Sequence, residues 1–374
     1  MSPLKTASLR RSVFRGEFQG YWRYCTTRLA ATGAHLRKER MLLDALKTAP
    51  QEQGRLVLES FQPVVDANLN ELLMFVKPEI TELGPRAEKA LGYIEQRLGQ
   101  WDCHIGALML LGPAYMARHR LIEKHYGLIN YYSRLGLAGL SARDRLKFDE
   151  WQRHSGNEGL HVLGAHQLLQ RDPNVSADDL LRWHDGSKER VRVANGAYMA
   201  IHSMNGTAVG VINGFHPAQL RHFYQSSAPI VAFTLVTRSP WAALRSEMVG
   251  ATDPAKAVPG SMRRHFNDAP GPFHLADVDT ARNAVHLSAG PIEGAAEIRR
   301  YFQDWDVVGA KALETNFSRL LKQNGLTDGA VTSLLANKPL NSAKEIIKDP
   351  FSSTERLDTF PALSLILKAA AVSS

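Results

Sequence analysis

One histidine in this chain sits among the partners that a phosphate-accepting imidazole needs. In Arg282-Asn283-Ala284-Val285-His286-Leu287-Ser288 an apolar pair leads into His286 as at the end of a buried strand, and Pro291 opens what reads as a new helix carrying Glu293. A neutral imidazole can attack phosphorus through one ring nitrogen when an acceptor holds the other, fixes the tautomer and steadies the developing charge. On this spacing Glu293 is the natural acceptor. The chain has 14 histidines, so an ordinary strand-end histidine is the competing reading and other segments must decide.

Several segments bear on it. Glu71-Leu72-Leu73-Met74-Phe75-Val76 reads as a strand that ends in Lys77-Pro78-Glu79. A lysine there reaches a polyphosphate as a point charge, while Pro78 stops the strand; a surface lysine before a turn is the alternative. From Gly92-Tyr93-Ile94-Glu95 through Ile105 and Leu110 to the pair His125-Tyr126 the chain reads as a helix, a strand and a second helix. Residues 228 to 236 form an apolar run of strand length, followed by Val249-Gly250-Ala251-Thr252-Asp253-Pro254 and, further on, Pro259-Gly260-Ser261-Met262-Arg263. There is no glycine-rich loop followed by lysine and serine or threonine, and no glycine fingerprint after a strand, so side chains must hold any phosphates.

Taken in order, these segments resemble the nucleoside diphosphate kinase family over residues 68 to 126 and 214 to 305. The resemblance implies an α+β fold, a ferredoxin-like four-stranded antiparallel sheet covered by helices; periodicity alone gives only mixed α and β. It also implies a two-step exchange in which His286 takes the terminal phosphoryl group of a nucleoside triphosphate, ATP with Mg2+, and passes it to a nucleoside diphosphate. Lys77, Thr252 and Arg263 would contact phosphates, with magnesium carried by the nucleotide and no protein metal site. Tyr126 would hydrogen-bond near His286, Asn283 and Ser288 would bind nucleotide, and Phe215 would stack on the base, with a core phenylalanine as its other reading.

The pattern also departs from that family. Where it has a phosphate-contacting arginine this chain has Ser246, with Arg245 one residue earlier, an offset of about 100° on a helix; Arg245 compensates or the contact is lost. Leu287 and Ala289 replace a glycine and an aspartate after the histidine, and residues 267 to 276 lengthen the approach to it. Residues 127 to 213 form an insertion where the family has a short hairpin, with helical patterns at 142 to 154 and 177 to 183 and a hairpin at 198 to 212 turning at Asn205-Gly206. Such an insert could gate the site. His161 and His166, five apart, do not share a helical face and read as solvated. The implied alternatives are a specialised nucleotide or metabolite kinase and an inactive nucleotide-binding or assembly module.

Length and composition fit a catalytic domain at 68 to 305 with extensions at 1 to 67 and 306 to 374; at 374 residues and 44% hydrophobic content a sizeable core is expected. Cys25 and Cys103 form no disulfide framework and suit a reducing compartment, so a cytoplasmic location is expected, with organelle targeting through the basic N-terminus as the alternative. The net charge of +8 is concentrated in residues 1 to 50, where Arg10, Arg11, Arg15, Arg23 and Arg28 read as a solvated helical extension, a transit segment, or a contact for nucleic acid or acidic membrane. Leu29, Leu36, Leu42, Leu43 and Leu46 outline an amphipathic helix. Beyond Trp305, Leu313, Phe317, Leu320, Leu321, Leu363, Ile366 and Leu367 keep helical periodicity, which calls for docking on the body or on a neighbouring protomer. A homo-oligomer, at least a dimer, is expected.

Overall fold

The computed structural model describes residues 41–48, 54–204, 206–341 and 346–371. Its central strand, β2 (Asn70–Val76), is buried throughout because the sheet is covered on both sides. Leu72, Met74 and Val76 enter one core with Leu91, Ile94 and Leu110. Leu73 and Phe75 enter the other with Met109, Phe223 and Tyr301. That two-sided burial explains an apolar run with no alternation.

β3 (His104–Leu111), β8 (Ile230–Thr237) and β9 (Val285–Leu287) join β2 in the order β3-β8-β2-β9, every neighbouring pair antiparallel. This is the ferredoxin-like order. A fifth strand, β1 (Arg55–Glu59), adds to the free edge of β3. Residues 1 to 67 were expected to be helical, but an open edge offers unpaired backbone groups that an extended segment satisfies better than a helix does. Ahead of it, the helix Met41–Thr48 buries Leu42, Leu43 and Leu46 on the main core. Arg10 to Arg28, Leu29 and Leu36 lie outside the described residues.

The insertion builds a second sheet. Ser141 and Ser176 cap the helices Ala142–His154 and Ala177–Gly186 by accepting the amides of Asp144 and Asp179, each at 3.1 Å. β6 (Ala197–Met204) and β7 (Thr207–Ile212) form the expected hairpin, paired up to Met204 and Thr207. β5 (Arg190–Ala194) flanks β6, while β4 (His161–Gly164) runs parallel to β7. The parallel pair joins segments far apart in the chain, for which no local pattern exists. His166 Nδ1 lies 2.8 Å from Ser133 Oγ, and among the described residues neither His161 nor His166 belongs to a group able to hold a metal.

The C-terminal segment docks on its own body. Phe317, Leu321, Leu334, Leu363 and Ile366 pack against Ile292, Ala295 and Ala296, on one face of the helix Pro291–Phe302. Among the described residues no helix is long and apolar enough to cross a membrane. Asn316, 1% exposed, ties the appendage to the start of β2: it accepts the Asp66 amide at 2.9 Å and donates to the carbonyls of Asp66 at 2.9 Å and Leu69 at 3.0 Å. Asn316→Ala strands these buried groups, so the expected loss of folding stability is about 3 kcal/mol, read from the urea midpoint at unchanged slope.

Candidate active site

β9 lies antiparallel to β2 with His286 directly opposite Phe75. The imidazole stacks on that ring, centroids 4.6 Å apart and planes 19° from parallel, which fixes its tilt. Its Nε2 lies 3.1 Å from the Oε2 of Glu297. Glu293 therefore does not hold the histidine. Both acids lie on the helix Pro291–Phe302 four residues apart, hence on one face, but Glu297 sits a turn deeper, level with β9. Glu293 lies beside the Glu297 charge; burial, then that charge, pushes its carboxyl up to about 8.

Ser288 is a second correction. Rather than facing a nucleotide, it is fully buried; its hydroxyl donates to Glu297 at 2.5 Å and accepts the Leu73 amide at 3.0 Å. His125 completes the arrangement, Nδ1 3.2 Å from Glu297 Oε1 and ring edge-on to His286 at 4.3 Å. Glu297 thus lies between two imidazoles. Burial, followed by the charges of Arg245, Arg263 and Lys77, holds the His286 pKa well below its ordinary value, so the ring is neutral at physiological pH and Nδ1 keeps a lone pair.

Among the cations whose charge reaches this ring are Lys77, Arg245 and Arg263. Lys77, 2% exposed, donates to Ala281 O at 2.8 Å and Asn283 Oδ1 at 2.6 Å, and burial lowers its ammonium to about 8. Arg263, 4% exposed, donates to the carbonyls of Gly250 at 3.0 Å and Val285 at 2.8 Å, yet among the described residues its Nε has no hydrogen-bond partner. Burial and the adjacent Arg245 charge press this guanidinium below its usual range, a sign of unmet demand for an anion. Arg245 donates to Leu287 O at 2.7 Å.

The one-residue arginine offset has a structural cause. Leu244–Val249 is a π-helix, closed by the Gly250 amide on the Arg245 carbonyl at 3.1 Å; such a turn takes up one extra residue and brings Arg245, rather than Ser246, to the site. Ser246 bonds back to Ala242 O. Gly250 has φ 94°, and a Cβ there would meet Ser261 Oγ at 2.4 Å, so glycine is required at this bend. Leu287 keeps ordinary strand geometry, its side chain buried in the main core.

Asn283 links the two sides of the cleft, accepting from Lys77 while its amide donates to Thr252 O at 2.9 Å. The next residue, Ala284, has φ 69°, spanned by a Val285 amide to Asn283 carbonyl bond of 2.8 Å. Glu79 accepts the Ala284 amide at 2.7 Å and Lys77 donates its own amide to the Ala284 carbonyl at 2.9 Å, which together hold this strained turn. Thr252 is exposed at the rim. Tyr126, edge-on to His125 at 4.6 Å, is within electrostatic reach of Arg263, and burial raises its phenol pKa. Phe215 lies against His184 of the insertion, centroids 4.9 Å apart.

Fold and site together define a ferredoxin-like protein with a carboxylate-held histidine in a cationic cleft. No family model matches the chain. A nucleoside diphosphate kinase of Ruegeria pomeroyi is 35% identical over 112 residues, 28% of this chain and 71% of that protein. Nucleoside diphosphate kinases of Chloroflexus aurantiacus and Archaeoglobus fulgidus are 36% and 34% identical over 86 and 85 residues, 23% of this chain in each case and 50% and 49% of theirs. An NDP kinase structure from Pyrobaculum aerophilum aligns with TM-score 0.32 and 17% identity over 63% of this chain and 97% of that one. The chain belongs to the nucleoside diphosphate kinase family. It spans about half the length of the first relatives it matches.

The raised Glu293 carboxyl has a consequence for stability. The native state keeps this proton where the unfolded chain has lost it, so stability falls as pH rises from 4.5 to about 8. Glu71, pushed up to about 7 by burial, acts in the same direction. Glu293→Gln should flatten part of that decline, and urea melts at about pH 5 and about pH 8 should show the variant gaining on the parent at the higher pH.

Proposed function

We infer that the protein transfers the terminal phosphoryl group of a nucleoside triphosphate to a nucleoside diphosphate through phospho-His286. The observation that carries this reading is a neutral imidazole held by Glu297 and reached by the charges of Lys77, Arg245 and Arg263. With Nε2–H on Glu297, Nδ1 is the nitrogen left to attack. Its lone pair forms the N–P bond as the bond from phosphorus to the bridging oxygen breaks and the nucleoside diphosphate leaves with those electrons. Glu297 steadies the positive charge that develops on the ring. In the second step an acceptor oxygen attacks phosphorus and the N–P electrons return to Nδ1.

Such transfer depends on alignment and charge neutralisation, which the three cations supply together with Mg2+ arriving on the nucleotide. Lys77 is tied to Asn283 and Ala281 without substrate, so phosphate binding exchanges those bonds for phosphate oxygens. The exposed Thr252 lines the approach, while the buried Asn283 holds Lys77 in place.

A narrower acceptor range has its own support. Phe215, the residue suited to a base, lies against the insertion, and Asp185 of that insertion feels the charges of Asp279 and Asp253 near the Thr252 and Asn283 segments. Comparing diphosphate acceptors that differ in base and sugar separates the readings: similar rates favour general exchange, and one strongly preferred acceptor favours the specialised form.

Incubation with γ-labelled ATP and Mg2+ should give an acid-labile, base-stable protein phosphate that His286→Ala lacks; equal labelling of both proteins would reject the nucleophile. Glu297→Gln should slow labelling by about 10²-fold, the usual effect of removing a residue that orients a reactive histidine, whereas Glu293→Gln should stay within a few-fold.

A further inference from the structure

We propose that His125, His286 and Glu297 form a binding site for a zinc-like divalent cation that inactivates the nucleophile. His125, His286 and Glu297 each offer a ring nitrogen or carboxylate oxygen, and these three ligand atoms all lie within 4.8 Å of one another. Two imidazoles and a glutamate are a frequent zinc ligand set, and tetrahedral bonds of about 2.0–2.2 Å put ligand atoms about 3.3 Å apart. Glu297 already reaches both rings, with Oε2 3.1 Å from His286 Nε2 and its other oxygen, Oε1, 3.2 Å from His125 Nδ1.

A second observation points to a ligand. His125, with its side chain 2% exposed, has a buried Nδ1 without a hydrogen-bond partner among the described residues, since the nearby carboxylate oxygen lies off the bonding direction. A buried nitrogen left in this way calls for an occupant. Ser288 supplies the outer support that metal-binding carboxylates need, and His286, with its side chain 14% exposed, is the approach from the cleft.

The chemistry selects the ion. Lys77, Arg245 and Arg263 oppose a bare dication, so only a metal that bonds strongly to nitrogen can remain, and Mg2+, which prefers oxygen ligands, does not compete. A neutral imidazole carries one proton. When Nε2 donates its lone pair to the metal, that proton resides on Nδ1, and no lone pair is left there to attack phosphorus.

Chelator-treated full-length protein, dialysed against Zn2+ in Mg2+ buffer, should retain one zinc per chain that His125→Asn and Glu297→Gln each bind at least tenfold more weakly. Co2+ added to the unaltered protein should give the intense visible bands of a tetrahedral site, a readout that needs no variant to fold. Only weak octahedral bands, or variants with unchanged zinc affinity, would overturn the site. Stoichiometric zinc should also abolish His286 labelling, and chelation should restore it; full labelling of the zinc-loaded protein would refute the inactivation. If tetrahedral cobalt forms while no phosphoenzyme is ever seen, the metal site stands and the phosphotransfer reading falls.

Discussion

The carboxylate of Glu297 is the interaction on which the site depends. One oxygen meets His286 Nε2 and the Ser288 hydroxyl, while the other faces His125. Removed from water, this charge is tolerable only because each neighbour is held by a separate part of the fold. Ser288 is locked to Leu73 on β2, His286 is pressed against Phe75 on the same strand, and His125 ends a helix that packs edge-on to that ring. Two strands and two helices thus converge on one anion. The reward is a histidine with a defined tautomer and tilt in the absence of substrate.

Around that anion the fold has gathered more positive charge than it neutralises. Lys77 and Arg263 bond to carbonyls and an amide oxygen, neutral partners that do not cancel their charge, and the Arg263 Nε finds no partner among the described residues. Their retention is intelligible if a polyanion completes the cleft, since binding then recovers what desolvation cost. Strain is stored alongside: Ala284 is kept in a left-handed conformation by Glu79 and Lys77.

The additions to the core bear on this centre. The C-terminal helices cover the face of the helix Pro291–Phe302 opposite Glu297, and the Arg356 amide donates to Ala289 O at 2.9 Å just beyond His286. Gly290 lies so close to Thr354 that a Cβ would meet its carbonyl oxygen at 2.4 Å. Ala289, one of the altered residues after the histidine, thus lies under a segment of the same chain. The insertion approaches from the other side, through His184 against Phe215. The added residues between Asn267 and Ala276 are anchored by Phe273, which packs on Tyr93 and Phe266.

What the sequence determined was what local chemistry dictates. The apolar runs of β2 and β8, the proline that ends the first of them before Lys77, the capped helices of the insertion and the hairpin at 198 to 212 are each specified by residues close together in the chain. Lys77, Arg263, Asn283 and His286 stand in segments whose order along the chain resembles that of the nucleoside diphosphate kinase family. Tertiary structure decided which groups meet. Glu293 is nearer to His286 in sequence, but strand and helix cross where Glu297 lies, and Ser288 turns out to serve that acid. His125 was readable only as half of a helix-end pair. Arg245 reaches the site because one turn widens to a π-helix, a backbone choice made by packing. β1 and β4 join distant segments by pairing that no periodicity announces. Spacing along a chain fixes faces and caps, whereas the distance between two side chains on different elements depends on how those elements pack.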